Sequence, residues 1–185
     1  MIADVLKDAA RRMDRSVENA ASEFQAIRTG RANKALFDRI EIDYYGTPTP
    51  LQSLASIAIR EARTVAITPY DRTAMATIEK AIRNSDLGVN PSDDGAVIMI
   101  NLPELTAERR KEYVKLARNR AEEGRVSVRQ ARHKAKEALS RILKDAEVGE
   151  DDVRHAEKEL DAMTKSRIAK VDDLLAHKES ELLEV

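Results

Sequence analysis

Apolar residues recur every three or four positions at the start of the chain: Ile2, Val5, Ala9, Met13, Val17, Ala20, Phe24 and Ile27. That spacing draws one stripe along an amphipathic helix, and Thr29-Gly30 ends it. A second helix is predicted from Thr106, which follows Pro103 and supplies an N-cap hydroxyl. Its seam runs through Tyr113, Ala117, Ala121, Gly124, Val128, Ala131, Ala135, Ala138 and Ile142. Small residues dominate this seam, which lets neighbouring helices approach closely; a helix over 106–145 would be about 60 Å long. At Val148-Gly149-Glu150-Asp151-Asp152 the glycine caps one helix, and the acids favour the positive end of the next. Val153, Ala156, Leu160, Met163, Ile168, Val171, Leu175 and Leu182 carry a third stripe to the end. Three such stripes must cover one another, and an elongated antiparallel three-helix bundle does so most simply.

The pattern changes between the first two helices. Ile40-Glu41-Ile42-Asp43-Tyr44-Tyr45 alternates like a half-buried strand, and the prolines of Gly46-Thr47-Pro48-Thr49-Pro50 force a turn or an extended segment. Two more strands are predicted over 54–59 and 64–70. Asp71 can cap a helix from about Arg72 to Asp86 that Leu87-Gly88 ends, and Asp93-Asp94-Gly95 turns into a strand over 96–102. The whole reads as an α+β chain: a bundle of 1–29 plus 106–185, with a small β/α/β domain of 31–104 inserted into it. The joints fall near 29–31 and 103–106, and two single-chain connections permit relative movement.

Composition sharpens this picture in two places. No cysteine is present, so neither a disulfide nor a thiol nucleophile nor a cysteine zinc site contributes, which suits a reducing compartment. No run of 18 apolar residues occurs and the N-terminus alternates charges, so a cytoplasmic location away from membranes is expected. The formal net charge of −1 conceals an asymmetry. Residues 106–145 hold 13 Lys and Arg against 6 Asp and Glu, whereas 146–185 hold 6 against 12. A basic segment thus precedes an acidic one, and salt confines their fields to about 8–10 Å.

Several candidate chemistries fall away. Ile27-Arg28-Thr29-Gly30-Arg31-Ala32 lacks P-loop spacing and follows a helix where that motif needs a strand. His133, His155 and His177 stand singly on helices, so solvated positions explain them better than metal ligation. Glu147, Glu150, Asp151 and Asp152 read as helix-capping acids before they read as a cation site. No catalytic constellation is legible, and neither an enzyme, a cofactor nor a metal is expected.

The strongest signal is a row on the second helix: Lys111, Lys115, Arg118, Glu122, Arg125, Arg129, Arg132 and Lys136, spaced alternately by four and three. Seven cations then share one face about 38 Å long beside the apolar seam. Two readings compete. The row is a polyanion-binding surface, since guanidinium forks match phosphate, or a solvated face partly neutralised by Glu157, Asp161 and Asp172 of the third helix. Aromatics are 3% of the chain and none lies on the row, so a polyanion would be folded RNA tracked by its phosphates, not stacked bases. A helical adaptor or a stand-alone regulator of structured RNA would also fit a basic helix.

The chain resembles the bacterial ribosome recycling factor family along essentially its whole length. The resemblance lies in IRTGRA at 27–32, YYGTPTPL at 44–51, IEKAIRNSDLGVNP at 78–91, LPELTAERRKEYVKLAR at 102–118, AEEGRVSVRQAR at 121–132 and the tail KVDDLLAHKESELLEV. It implies an L-shaped, tRNA-sized monomer: a three-helix bundle joined by a hinge to a β/α/β domain. It implies binding across the A and P sites of the large ribosomal subunit, on 23S rRNA, and subunit splitting with elongation factor G and GTP, the nucleotide being the partner's. By position the family's RNA-contacting arginines fall on Arg110, Arg129 and Arg132, to which the row adds Lys111, Lys115, Arg118, Arg125 and Lys136. Arg28 and Arg31 match a hinge-flanking pair and join the RNA-contacting candidates; Thr29, Gly30 and Arg31 form one hinge strand, Pro103, Glu104, Leu105 and Thr106 the other. Two departures stand out. Gln130-Ala131-Arg132-His133-Lys134 replaces the family's usual N-x-R-R-D, and Lys34 stands where many members have proline.

Overall fold

A computed structural model describes residues 1–145 and 148–184. Its contacts divide the chain into two compact units, Met1–Ile27 with Lys111–Val185, and Arg28–Arg110. Glu147 of the acidic turn lies outside the described residues.

The first unit contains α1 (Ile2–Gln25) and two longer helices, residues 107–144 and 150–183. Its core gathers Ala9 and Met13 of α1, Val128, Ala131, Ala135 and Leu139 of the second helix, and Val153, Ala156 and Leu160 of the third. The three helices meet at Gly124. A Cβ there would lie 3.2 Å from the Ala20 Cβ and 3.5 Å from a Val171 methyl, so only hydrogen fits between them without displacement. From Ala9 through Asp14 to Ala20, α1 meets rising positions of the third helix (Ala156, Arg167, Val171) and falling ones of the second (Leu139 to Gly124), so α1 and the third helix run side by side, both antiparallel to the second. Ser16 faces Ser127 with hydroxyls 2.7 Å apart, and the Thr164 hydroxyl donates to Leu160 O at 2.8 Å, so these buried polar groups are satisfied.

The apolar stripes shift slightly from the predicted ones. Leu139 takes the core place expected of Ala138, Ser16 is buried where Val17 is half-buried, and Thr164 and Lys178 are buried among the positions of the third helix. A straight helix drifts about 20° per heptad, so strict three-and-four spacing picks a wrong neighbour as the drift accumulates along these helices. Lys178 is only 7% exposed and its ammonium donates to Glu181 Oε2 at 2.8 Å.

The inserted unit opens with a 3-10 turn, Lys34–Phe37, capped by the Asn33 side chain. The hairpin β1 (Glu41–Tyr44) and β2 (Thr47–Pro50) follows; Pro48 and Pro50 are tolerated because this two-stranded sheet leaves an open edge. Its two-residue turn has positive φ at both Tyr45 (50°) and Gly46 (80°), the requirement of a type I′ turn. Next come the short α2 (Leu51–Leu54), β3 (Ala55–Glu61), β4 (Thr64–Pro69), α3 (Met75–Arg83), β5 (Ser92–Asp93) and β6 (Ile98–Asn101). The last four strands form one antiparallel sheet in the order β3-β4-β6-β5. Met75, Ile78 and Ile82 of α3 bury into Ile57, Val65, Ile67, Ile98 and Ile100 of that sheet. Asp71 caps the entry to α3 by accepting from the Thr73 amide at 2.9 Å, and its carboxyl is held below the ordinary carboxylate range chiefly by the Thr73 hydroxyl. The helix ends at Arg83, short of the predicted Asp86, because the Ser85 hydroxyl turns back onto Ile82 O. In chain order α4 (Ala107–Lys144) and α5 (Glu150–Leu183) complete the element set.

Two outcomes test the packing. Replacing Gly124 by leucine forces a branched side chain into the contact with Ala20 and Val171, and should lower stability by about 1–3 kcal/mol in urea unfolding. Asp14 accepts from Arg167 at 2.9 and 3.3 Å, a tie between α1 and α5 that holds its carboxyl below the usual range. A depressed folded value stabilises above the unfolded value, about 3.9, and that stabilisation is lost as pH falls through the folded one. Wild type should therefore be more stable than Asp14→Asn near neutrality, and their midpoints should converge as the pH falls below about 4.

Candidate nucleic-acid interface

The row of cations begins at a capped helix end. Thr106 Oγ1 accepts from the Arg109 amide at 3.2 Å, and Thr106 O accepts from the Arg110 amide at 3.0 Å, so α4 starts directly after the Pro103-Glu104-Leu105 segment. From there α4 runs unbroken for 38 residues, about 57 Å, and presents the row along one side.

The structure resolves this row into two columns. Arg118, Arg125, Arg132 and Lys136 lean toward α5, and each meets a carboxylate there. Arg118 Nε donates to Glu179 Oε1 at 2.6 Å, Arg125 Nε to Asp172 Oδ1 at 2.7 Å, and Arg132 Nε to Asp161 Oδ1 at 2.7 Å. Lys136 Nζ lies 3.6 Å from Glu157 Oε1. The second column lies farther round the surface of α4. In it Glu122 bridges Arg125 and Arg129, both at 3.0 Å, and these guanidinium groups hold its carboxyl below the ordinary range, Arg125 more strongly. Lys111 and Lys115 complete this column; both are exposed, and among the described residues neither has an ion-pair partner. Arg110 is half-buried at the start of the helix.

Electrostatics follow the same division. The Arg125 guanidinium, the least exposed cation of the row, is raised first by Asp172 and then by Glu122. Glu157, Asp161 and Asp172 were legible as possible neutralisers, and all three pair with the row. Glu179 was missed, although a signal for it exists: it stands seven residues after Asp172, as Arg118 stands seven before Arg125. Outside the row, Arg120 bonds Glu123 at 2.9 Å and reaches Glu23 of α1 at 3.5 Å. His133 and His177 each face a glutamate one turn along, and no group of three possible metal ligands occurs among the described residues. No described helix is long and apolar enough to cross a membrane.

The two arginines around Gly30 belong to the inserted unit. The Arg28 guanidinium donates to the backbone carbonyls of Asp86 and Leu87, the latter at 3.2 Å, and so closes the chain end of the α3 segment. The Arg31 amide approaches Thr29 Oγ1 at 3.4 Å. Gly30 has φ of 82°, and a Cβ there would lie 3.6 Å from Leu105 Cγ. The neighbours of both expected hinge strands are tied to the turn between β3 and β4, the Ala32 amide to Ala62 O and the Leu102 amide to Arg63 O at 2.8 Å, and Glu104 of the second strand meets the Arg63 guanidinium at 2.7 Å.

Known proteins align with this arrangement from end to end. The sequence model of the ribosome recycling factor family matches residues 20–183. The ribosome-recycling factor of Beutenbergia cavernae is 63% identical over 185 residues, all of both chains, and that of Kineococcus radiotolerans is 60% identical over the same span. A solution structure of a ribosome recycling factor superposes with a TM-score of 0.79 at 36% identity, covering 100% of this chain and 98% of that one. A second similar structure, at TM-score 0.70 and 39% identity with full coverage of both chains, is described as belonging to models for the T. thermophilus ribosome recycling factor and the E. coli elongation factor G bound to the E. coli post-termination complex. A bundle with an inserted sheet domain, matched in sequence across both units, places this chain in the ribosome recycling factor family.

Proposed function

We propose that this chain binds the post-termination ribosome at the A and P region of the large subunit and, with elongation factor G and GTP, splits it into subunits, so that mRNA and tRNA leave for a new round of translation. The observation that carries this reading is the full-length match to recycling factors across both compact units. The chain works in the cytoplasm as a monomer and catalyses no covalent step itself; the GTP belongs to its partner.

The physical mechanism rests on two properties. The bundle is a stiff rod, because its helices of 38 and 34 residues pack along a seam of small residues with little room to shear. The α4 row, with Arg110, Lys111, Lys115, Arg118, Arg125, Arg129, Arg132 and Lys136, anchors that rod on phosphates of 23S rRNA. Such contacts position without reading bases, which suits a surface with no aromatic side chain among these residues. Thr29, Gly30, Arg31 and Pro103 to Thr106 form the joint through which the partner moves the inserted domain against the RNA bridges between subunits. Arg28 serves this joint as a clasp, its guanidinium held by two carbonyls of the inserted unit.

The test is direct. Post-termination ribosomes incubated with this protein, elongation factor G and GTP should sediment as subunits, and intact ribosomes after that incubation would refute the reading. A second outcome addresses the anchor. Lys111→Ala with Lys115→Ala removes two cations that have no ion-pair partner among the described residues, so the log–log salt slope of large-subunit binding should become shallower by about 1.5–2. An unchanged slope would remove these two lysines from the RNA contact.

A further inference from the structure

The inner column of α4 poses a question that RNA binding alone does not answer: its cations already have anions. Arg118, Arg125, Arg132 and Lys136 face Glu179, Asp172, Asp161 and Glu157 in antiparallel order, at 2.6 to 3.6 Å. These pairs do not hold the bundle together. Most of their side chains are more than a third exposed, and exposed ion pairs contribute little to stability. The apolar seam and the Ser16–Ser127 contact already fix how the helices sit.

We propose that Glu157, Asp161, Asp172 and Glu179 are positioning residues for the RNA-binding face: exchangeable counter-anions that hold the α4 cations in register, yield them to rRNA phosphates on binding, and recapture them on release. This rests on the reading that α4 contacts rRNA. A guanidinium fork accepts a carboxylate and a phosphate with the same planar geometry, so exchange needs no rearrangement of the helix. Successive inner arginines stand seven residues apart, about 10.5 Å, beyond the screening length at physiological salt. The arginine pairs therefore open largely one at a time, with Lys136 close enough to Arg132 to open with it.

Exchange changes the counting of ions. A free cation that meets a phosphate releases about 0.9 of a condensed counterion. A paired cation also frees its carboxylate, which attracts a counterion back, so net release per pair is close to zero. The salt slope of the native protein then reports chiefly the anchor cations outside these four pairs, Lys111 and Lys115 among them, and the carboxylates lower affinity so that the factor can dissociate after each round.

The experiment measures binding of the full chain to purified large ribosomal subunits across a potassium chloride series, together with dissociation rates. Asp161→Asn with Asp172→Asn should tighten binding about three- to tenfold at low salt, slow dissociation by a similar factor, and steepen the log–log slope by between about one and two. The charge-preserving pair Asp161→Glu with Asp172→Glu should keep the native slope, which separates charge from any loss of packing. An unchanged or shallower slope in the asparagine variant, weaker binding by it, or a glutamate variant that behaves like it, overturns the exchange. Native binding that ignores salt would instead refute the α4 contact itself, and the exchange with it.

Discussion

The close approach of three helices at Gly124 decides which face of α4 is available for anything else. With Ala20 and Val171 against that glycine, the seam of Ala117, Ala121, Val128, Ala131 and Ala135 is committed to the interior. The flanking positions one residue on, Arg118, Arg125, Arg129, Arg132 and Lys136, then have no choice but to emerge beside it. A larger residue at 124 would move the helices apart and rotate the cationic row relative to α5. Packing of the smallest side chain in the bundle thus sets the address of its charges.

Charge partition along the chain follows from the same geometry. A helix rich in arginine beside a helix rich in carboxylates is nearly neutral at a distance, so the molecule does not attract every polyanion it meets. Close at hand the two columns differ: the inner one is compensated by α5, while the outer one exposes Lys111 and Lys115. Weak exposed pairs suit a protein whose work requires leaving as well as binding. The inserted unit has a different electrostatic logic. Arg28 is turned to backbone carbonyls, and Arg63 holds Glu104, so these cations organise the chain path.

Much of the architecture was legible before any coordinates. The three long helices, the Thr106 cap and the strands around Ile57, Ile67 and Ile100 followed from period and punctuation, because each buries one regular stripe. The second strand of the first hairpin was legible only as a turn or an extended segment: Pro48 and Pro50 withhold amide donors, and its pairing with β1 shows only in the fold. Ser16 and Thr164 were invisible as core residues, since their burial depends on Ser127, 111 positions away, and on a carbonyl one turn back. At the candidate interface, spacing showed one row but not two columns. Which side α5 occupies is a tertiary fact, and only that fact separates Arg118 and Arg132, each paired across the groove, from Lys111 and Lys115.

If α4 binds RNA as proposed, its outer column is covered in the complex while exposed residues elsewhere on the bundle stay in solvent. Lysine reactivity reads this directly: a water-soluble acylating reagent applied to the free protein and to its complex with large ribosomal subunits, with modified sites quantified by mass spectrometry. Lys111 and Lys115 should be protected in the complex, while Lys7 on α1 and Lys170 on α5, both exposed, should react as in the free protein. Protection of Lys7 and Lys170 with Lys111 and Lys115 left reactive would contradict the account.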